Sequence, residues 1–279
     1  INKMSIKRYI LLIIILIVSQ IAYGQESKTL STKYAFSVGT IKMADHNLSN
    51  QEYSGIVYGL QFSQGQYYKN KNVSWNIHEQ IRYSHPLNAS KSAYITYLGI
   101  NIGFGSYYNL KLNNFKFKLG GYIDIYEGAK YQSRNVNNIF SNDLQLQLLA
   151  NITAQYHYTW NKFGLLVQYQ MATPLIGCMF IPEMGQSYYE VYKYLSENLE
   201  DVVHFSSFHN RQGYKGNLTL NFLFKGFTLY TGFIHHFDYW HQNDLYFYNK
   251  ELSGQIGVIV DLEFRCGLKS QPDNSVIVF

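Results

Sequence analysis

Nothing in this sequence is long and apolar enough to cross a membrane as a helix. The one continuous hydrophobic stretch, from Ile10 to Val18, falls well short of the roughly 18–20 residues that a helical span requires, and no later run approaches that length. Charge is scarce as well. Asp, Glu, Lys and Arg make up 15% of the chain, against about 25% in ordinary soluble domains. Residues 1–24 hold Lys3, Lys7 and Arg8 and no acid, which leaves 20 basic and 18 acidic side chains, a formal +2, for the remainder. The basic residues are scattered, so the electrostatic footprint of a nucleic-acid partner is missing. Cysteine is limited to Cys178 and Cys266.

What the chain has in plenty is aromatic side chains, 27 Tyr and 18 Phe, interleaved with Asn, Gln, Ser and Gly, so that the mean hydropathy stays at −0.19. An object oily on one surface and wet on the other produces that mixture. The clearest segment begins at Tyr94. Tyr94, Thr96, Leu98, Ile100, Ile102, Phe104 and Tyr108 share one face of a strand; Tyr97, Gly99, Asn101, Gly103 and Gly105 share the other. A lipid-facing strand needs about 9–11 residues to cross a bilayer, with aromatics at the two water interfaces.

The same period-2 alternation, bounded by turn residues, predicts ten strands at 33–43, 54–64, 73–84, 93–108, 115–126, 143–158, 163–173, 214–224, 227–238 and 253–265. The fold class expected is all-β, an antiparallel transmembrane β-barrel of about ten strands. Every second connection is short (65–72, 109–114, 159–162, 225–226) and the others are longer (44–53, 85–92, 127–142, 174–213, 239–252). Bacterial barrels have short periplasmic turns and longer outer loops, and an even strand count returns both ends to the periplasm. Girdle aromatics are expected at Tyr34, Trp75, Tyr108, Phe115, Tyr158, Trp160, Phe163, Phe224, Phe227 and Phe264 on the turn side. On the loop side they are Tyr83, Tyr94, Tyr214, Phe237 and Trp240. This topology sets Cys178 and Cys266 at opposite ends of the barrel, far beyond the ~4.4–6.8 Å between Cα atoms that a disulfide needs, so they are expected to be unpaired.

Residues 1–24 have the layout of a secretory signal: Met4 as the start, basic Lys7 and Arg8, the apolar stretch, and a small-x-small site at Ala22-Tyr23-Gly24 before Gln25. The expected organisation is a signal peptide at 1–24, a barrel at 25–265 with a long surface loop at 174–213, and a tail at 266–279. The last strand, from Gln255 and Gly257 through Val258 and Val260 to Phe264, resembles the C-terminal signal read by the outer-membrane assembly machinery, although the tail follows it here. The expected setting is the Gram-negative outer membrane, with its lipid and that assembly machinery as partners. No cofactor or metal is expected.

A barrel this narrow is filled by side chains. The inward faces carry Asn76, His78, Gln80, Arg82, Lys116, Lys118, Asp124, Gln145, Gln147, Asn151, His157, Gln168, Gln170, Asp261, Glu263 and Arg265. Among these His78, Arg82, Lys116, Asp124, His157 and Asp261 are the expected polar network. The simplest account is an ion-paired plug; a narrow diffusion channel uses the same residue types.

Two enzymatic readings compete with a binding or structural role. His204-x-Ser206 resembles the His-x-Ser pair of outer-membrane lipid A deacylases, in which His activates a Ser nucleophile. That family adds a carboxylate about a dozen residues on, and the corresponding stretch from Gly216 to Leu223 has none, so Glu190 or Asp238 would have to serve. The second reading groups His235, His236, Asp238 and His241, with His209, as a metal or protease-like cluster. Adjacent strand residues point to opposite faces, so His235 and His236 cannot both join one site. Finally, Tyr188-Tyr189-Glu190 followed by Ser207-Phe208-His209-Asn210 resembles an uncharacterised family of outer-membrane barrels. That resemblance implies location and fold only. His209 and Asn210 then have a structural reading: Asn caps the turn and His bonds the loop. Segment 188–199 is read as a short helix over the barrel mouth.

Overall fold

The computed structural model describes residues 28–68, 72–132, 134, 139–160, 163–183, 199–224 and 227–264. Ten long strands follow one another antiparallel: β1 (Lys28–Asp45), β2 (Ser49–Tyr68), β3 (Val73–Ser84), β5 (Thr96–Leu112), β6 (Phe115–Tyr131), β7 (Phe140–Trp160), β8 (Phe163–Phe180), β10 (Arg211–Phe224), β11 (Phe227–Gln242) and β12 (Leu245–Phe264). β12 returns to β1 along its whole length, from Lys28↔Phe264 to Asp45↔Phe247. The sheet therefore closes, and closure is what a β structure needs in hydrocarbon, where an unpaired edge has no water to bond.

Two short strands lie at the outer end. β4 (Leu87–Asn88) pairs with Tyr53 and Ser54 of β2. β9 (Val203–Ser207) pairs with the upper part of β8, and a four-residue helical turn α1 (Leu199–Val202) leads into it. β9 and β10 run in the same direction along one edge of β8, with Ser207 opposite Ile176 and Lys215 opposite Ala172. They are one barrel strand broken by a turn.

Alternation sorts the side chains as a lipid-facing wall requires. Ile256 is 63% exposed while the neighbouring Gln255 is 4% exposed, and Ile123 and Ile125 stand outward on either side of buried Asp124. Polar side chains fill much of the inside of this molecule. Glycines on the inner face make room for large neighbours: a Cβ on Gly103 would sit 2.0 Å from the His78 ring.

Most strands are longer than the alternation predicts, mostly at their outer ends; β3 has the expected bounds, and β5 starts at Thr96 rather than at 93, leaving Tyr94 in an isolated bridge to Leu87. β11 and β12 meet in a two-residue turn at Asn243 and Asp244, with φ of 53° and 57°, the left-handed pair that a tight hairpin needs. Much of the span 239–252 is therefore strand. Between Tyr239 and Tyr248 both faces carry aromatic or apolar groups, so the hydropathy period disappears although the ladder continues. In β8 the chain passes Pro174 and runs on to Phe180. A register shift opposite Leu148 and Leu149 inserts one residue, so the exposed face changes from Tyr169 and Met171 to Ile176 and Cys178. A bulge is where a sheet accepts proline, and the phase slip it brings mimics the end of a strand.

One girdle residue is corrected. Trp240 is 3% exposed and faces the lumen, its ring centroid 5.7 Å from that of Phe247. Its even position on β11 puts it opposite in face to Phe237. Cys178 is free and exposed at the outer end. Cys266, segments 1–24 and 266–279, and residues 184–198 with Tyr188, Tyr189 and Glu190 lie outside the described residues.

Candidate functional site

Halfway up the barrel a chain of charges crosses the lumen. Arg82 on β3 is 2% exposed. Its Nη2 donates to Asn101 Oδ1 at 2.8 Å, and its Nη1 lies 3.3 Å from Glu251 Oε2 and 3.0 Å from His236 Nδ1. Asn101 passes the link on, Nδ2 donating to Asp124 Oδ2 at 3.0 Å. Asp124 also accepts from Lys215 Nζ at 2.7 Å, and its other oxygen is 3.4 Å from His78 Nε2. Glu251 accepts in addition from Ser253 Oγ at 2.7 Å. Six strands thus meet through one network. Buried charges are tolerable only when paired in this way.

Three residues expected in the network, His78, Arg82 and Asp124, are joined in it. Lys116 is elsewhere, its Nζ 4.7 Å from the centre of the Tyr67 ring. His157 is half-buried near a short turn, its backbone N–H donating to Asn114 O. Asp261 pairs with Ser31 in the ladder, and its side chain lies outside those described. Glu251 and His236 were missed as lumen partners because the first fell in a supposed loop and the second was weighed only as a ligand.

Above this network apolar side chains pack into the lumen. Ile41, Met43, Leu48, Tyr53, Val57, Ala93, Ile95 and Tyr97 form one apolar cluster; Met179, Ile181, Trp240, Leu245 and Phe247 form a second. Between them Lys130, fully buried, binds Asp45 and also Asp143 at 2.6 Å, with its ammonium 4.1 Å from the centre of the Phe247 ring. Arg211 grips Asp238 in a two-point contact, Nε to Oδ1 at 2.9 Å and Nη2 to Oδ2 at 2.6 Å, and donates from Nη1 to Gln145 at 2.6 Å. Loop 85–95 folds back over this end, organised by Asn88, whose Oδ1 accepts from the backbone of Ser92 and Ala93.

Below the network is a cavity of about 150 Å³, with Lys33, Asn76, Tyr107, Lys118, Gln168 and Gln170 in its lining. Gln155 donates to Gln168 at 2.7 Å, and the Lys33 ammonium is 4.4 Å from the centre of the Tyr230 ring.

Among the described residues the outer rim does not bring the candidate hydrolytic groups together. His204 Nε2 is 2.9 Å from Asn243 Nδ2, and Ser206, 3% exposed, has no hydrogen bond to a histidine. His209 Nδ1 does meet a serine, Ser207 Oγ at 2.6 Å, but the two belong to one exposed turn. Asn210 locks that turn. Its Oδ1 accepts from Ser207 N at 3.1 Å, and its Nδ2 donates to Phe205 O at 2.9 Å and Gln242 Oε1 at 3.2 Å. The contact to Ser207 uses the ring nitrogen that a triad would give to its carboxylate, and Asp238 is already held by Arg211. His235 faces outward, 5.3 Å from the Tyr214 ring, while His236 is inside. Among the described residues no group of three His, Cys, Asp or Glu could hold a metal ion.

The sequence profile described as "Protein of unknown function (DUF3316)" matches residues 9–266. No curated protein matches the chain. The chain is similar to three solved structures. Neisserial surface protein A is 11% identical with a TM-score of 0.35, covering 85% of this chain and 99% of its own. The outer membrane protease OmpT of Escherichia coli is 7% identical with a TM-score of 0.45, covering 85% and 97%. The transport unit of the autotransporter AIDA-I of Escherichia coli is 8% identical with a TM-score of 0.42, covering 86% and 92%.

Proposed function

The chain belongs to that family of unknown function, and we propose that it is a non-conducting barrel of the Gram-negative outer membrane with a binding or structural role at the cell surface. The observation that carries this reading is the filled lumen. The Arg82–Asn101–Asp124 chain crosses the barrel at mid-height, and packed side chains with two buried ion-pair groups close it above. A solute would have to displace paired charges that cost several kcal/mol to separate. A hydrolase is disfavoured by the scattering of His204, Ser206, His209 and Asp238, and a diffusion channel by the packed outer end. What is left to work with is the outer surface, where Asn210 and His209 fix an exposed turn.

Liposome swelling in solutions of small sugars tests the reading. Vesicles containing the refolded protein are expected to swell no faster than empty ones, and swelling at the rate of a small porin would refute it. Deleting 188–198 is expected to leave the barrel folded, as judged by heat-modifiable mobility, while removing whatever the cell surface loses when the whole protein is deleted.

A further inference from the structure

The lipid-facing wall holds an acid among apolar neighbours. Alternation on β3 sends His78, Gln80 and Arg82 inward and Ile77, Glu79, Ile81 and Tyr83 outward. Glu79 is four residues from Trp75 and four from Tyr83. On a tilted strand rising ~3.3 Å per residue, that places it about 10 Å from either interface. Its ladder neighbours are Phe62 and Ile102. The side chain is exposed and has no hydrogen bond or ion pair with any described residue. Ionisable groups at this depth are rare and normally have a partner.

The wall is also shallowly indented at that spot. A groove of about 660 Å³ spans the outer faces of β1, β2, β3, β5, β11 and β12, with Phe36, Leu60, Ile81, Ile102 and Ile256 in its lining together with Glu79. It lies within the apolar belt, so its occupant arrives from the bilayer and not from water. Apolar walls select hydrocarbon. The carboxyl group selects a hydrogen-bond donor carried on that hydrocarbon.

We propose that this groove is a lipid site that takes an acyl chain bearing a hydroxyl or amide, with Glu79 accepting the hydrogen bond. A plain acyl chain would fill the walls and leave the carboxyl group unsatisfied. A second copy docking through the same face would set hollow against hollow.

The test uses the whole protein in vesicles of phosphatidylethanolamine and phosphatidylglycerol containing lipid A, whose acyl chains are hydroxylated. Lipid carried through mild detergent extraction is read by native mass spectrometry for wild type, Glu79→Leu and Leu60→Trp, with folding checked by heat-modifiable mobility. Wild type is expected to retain lipid A in preference to the phospholipids, and Glu79→Leu to retain about tenfold less, the effect of one hydrogen bond to a charged group. Leu60→Trp fills the groove without touching the carboxyl group and is expected to lose lipid of every kind. Equal retention by wild type and Glu79→Leu overturns the proposal. So does preference for the phospholipids, and so does a shift from dimer to monomer in Glu79→Leu, which would assign the groove to a second copy.

Discussion

Above Arg82 the lumen is packed with apolar side chains around Lys130 and Arg211 and their carboxylates; below it, amides and lysines surround a cavity of about 150 Å³. Both regions lie inside the same cylinder, and both are built from inward-facing alternate residues. They differ in what happens when one group is removed. In the packed outer part a lost charge strands its partner among apolar side chains. In the lower part a lost amide has room for a water molecule in its place. Occlusion in the first region rests on charge held within packing, and in the second on polar filling that tolerates change.

The sharpest way to break the contrast is Lys130→Met. It leaves Asp45 and Asp143 buried and unpaired, and is expected to cost about 4 kcal/mol in urea unfolding from lipid vesicles. Adding Asp45→Asn and Asp143→Asn should recover most of that loss, since the stranded charges go with it. Phe247→Ala removes the ring beneath Lys130 and is expected to cost about 3 kcal/mol in the same assay. Asn210→Ala unties the turn between β9 and β10 and should cost about 2 kcal/mol, with protease nicking near Phe208 as the visible sign. In the lower region, Gln168→Ala is expected to cost about 1 kcal/mol or less, because water can take over the bond to Gln155. If Gln168→Ala costs as much as Lys130→Met, the two regions are not different in kind. Ser206→Ala should cost about 1 kcal/mol or less and leave lipid A acylation in cells unchanged. A loss of deacylation would restore the hydrolase reading.

The sequence disclosed the barrel because hydrocarbon outside and polar filling inside force an alternation that survives at nearly every residue between the girdles. It disclosed less where that contrast fades. The outer ends of β11 and β12 have aromatics on both faces, so a continuous ladder from Asp238↔Asn249 to Gln242↔Leu245 reads as loop. Pro174 and the extra residue beside it shift the phase of β8, which hid the strand that Ile176 and Cys178 continue. Inward residues could be named, but their partners could not. Arg82 meets Glu251, and Lys130 meets Asp45, only because the closed barrel brings together strands far apart in the chain. Glu79 is legible in the sequence as the one acid on the apolar face of β3, but its open surroundings come only from the strands beside it.

The most direct measurement is single-channel current across a planar bilayer containing the purified wild-type barrel. Folded protein is predicted to insert and stay silent at moderate voltage in either polarity. A steady, reproducible unitary conductance would contradict the account, because it would mean that a continuous water path runs past Arg82 and through the apolar packing above it.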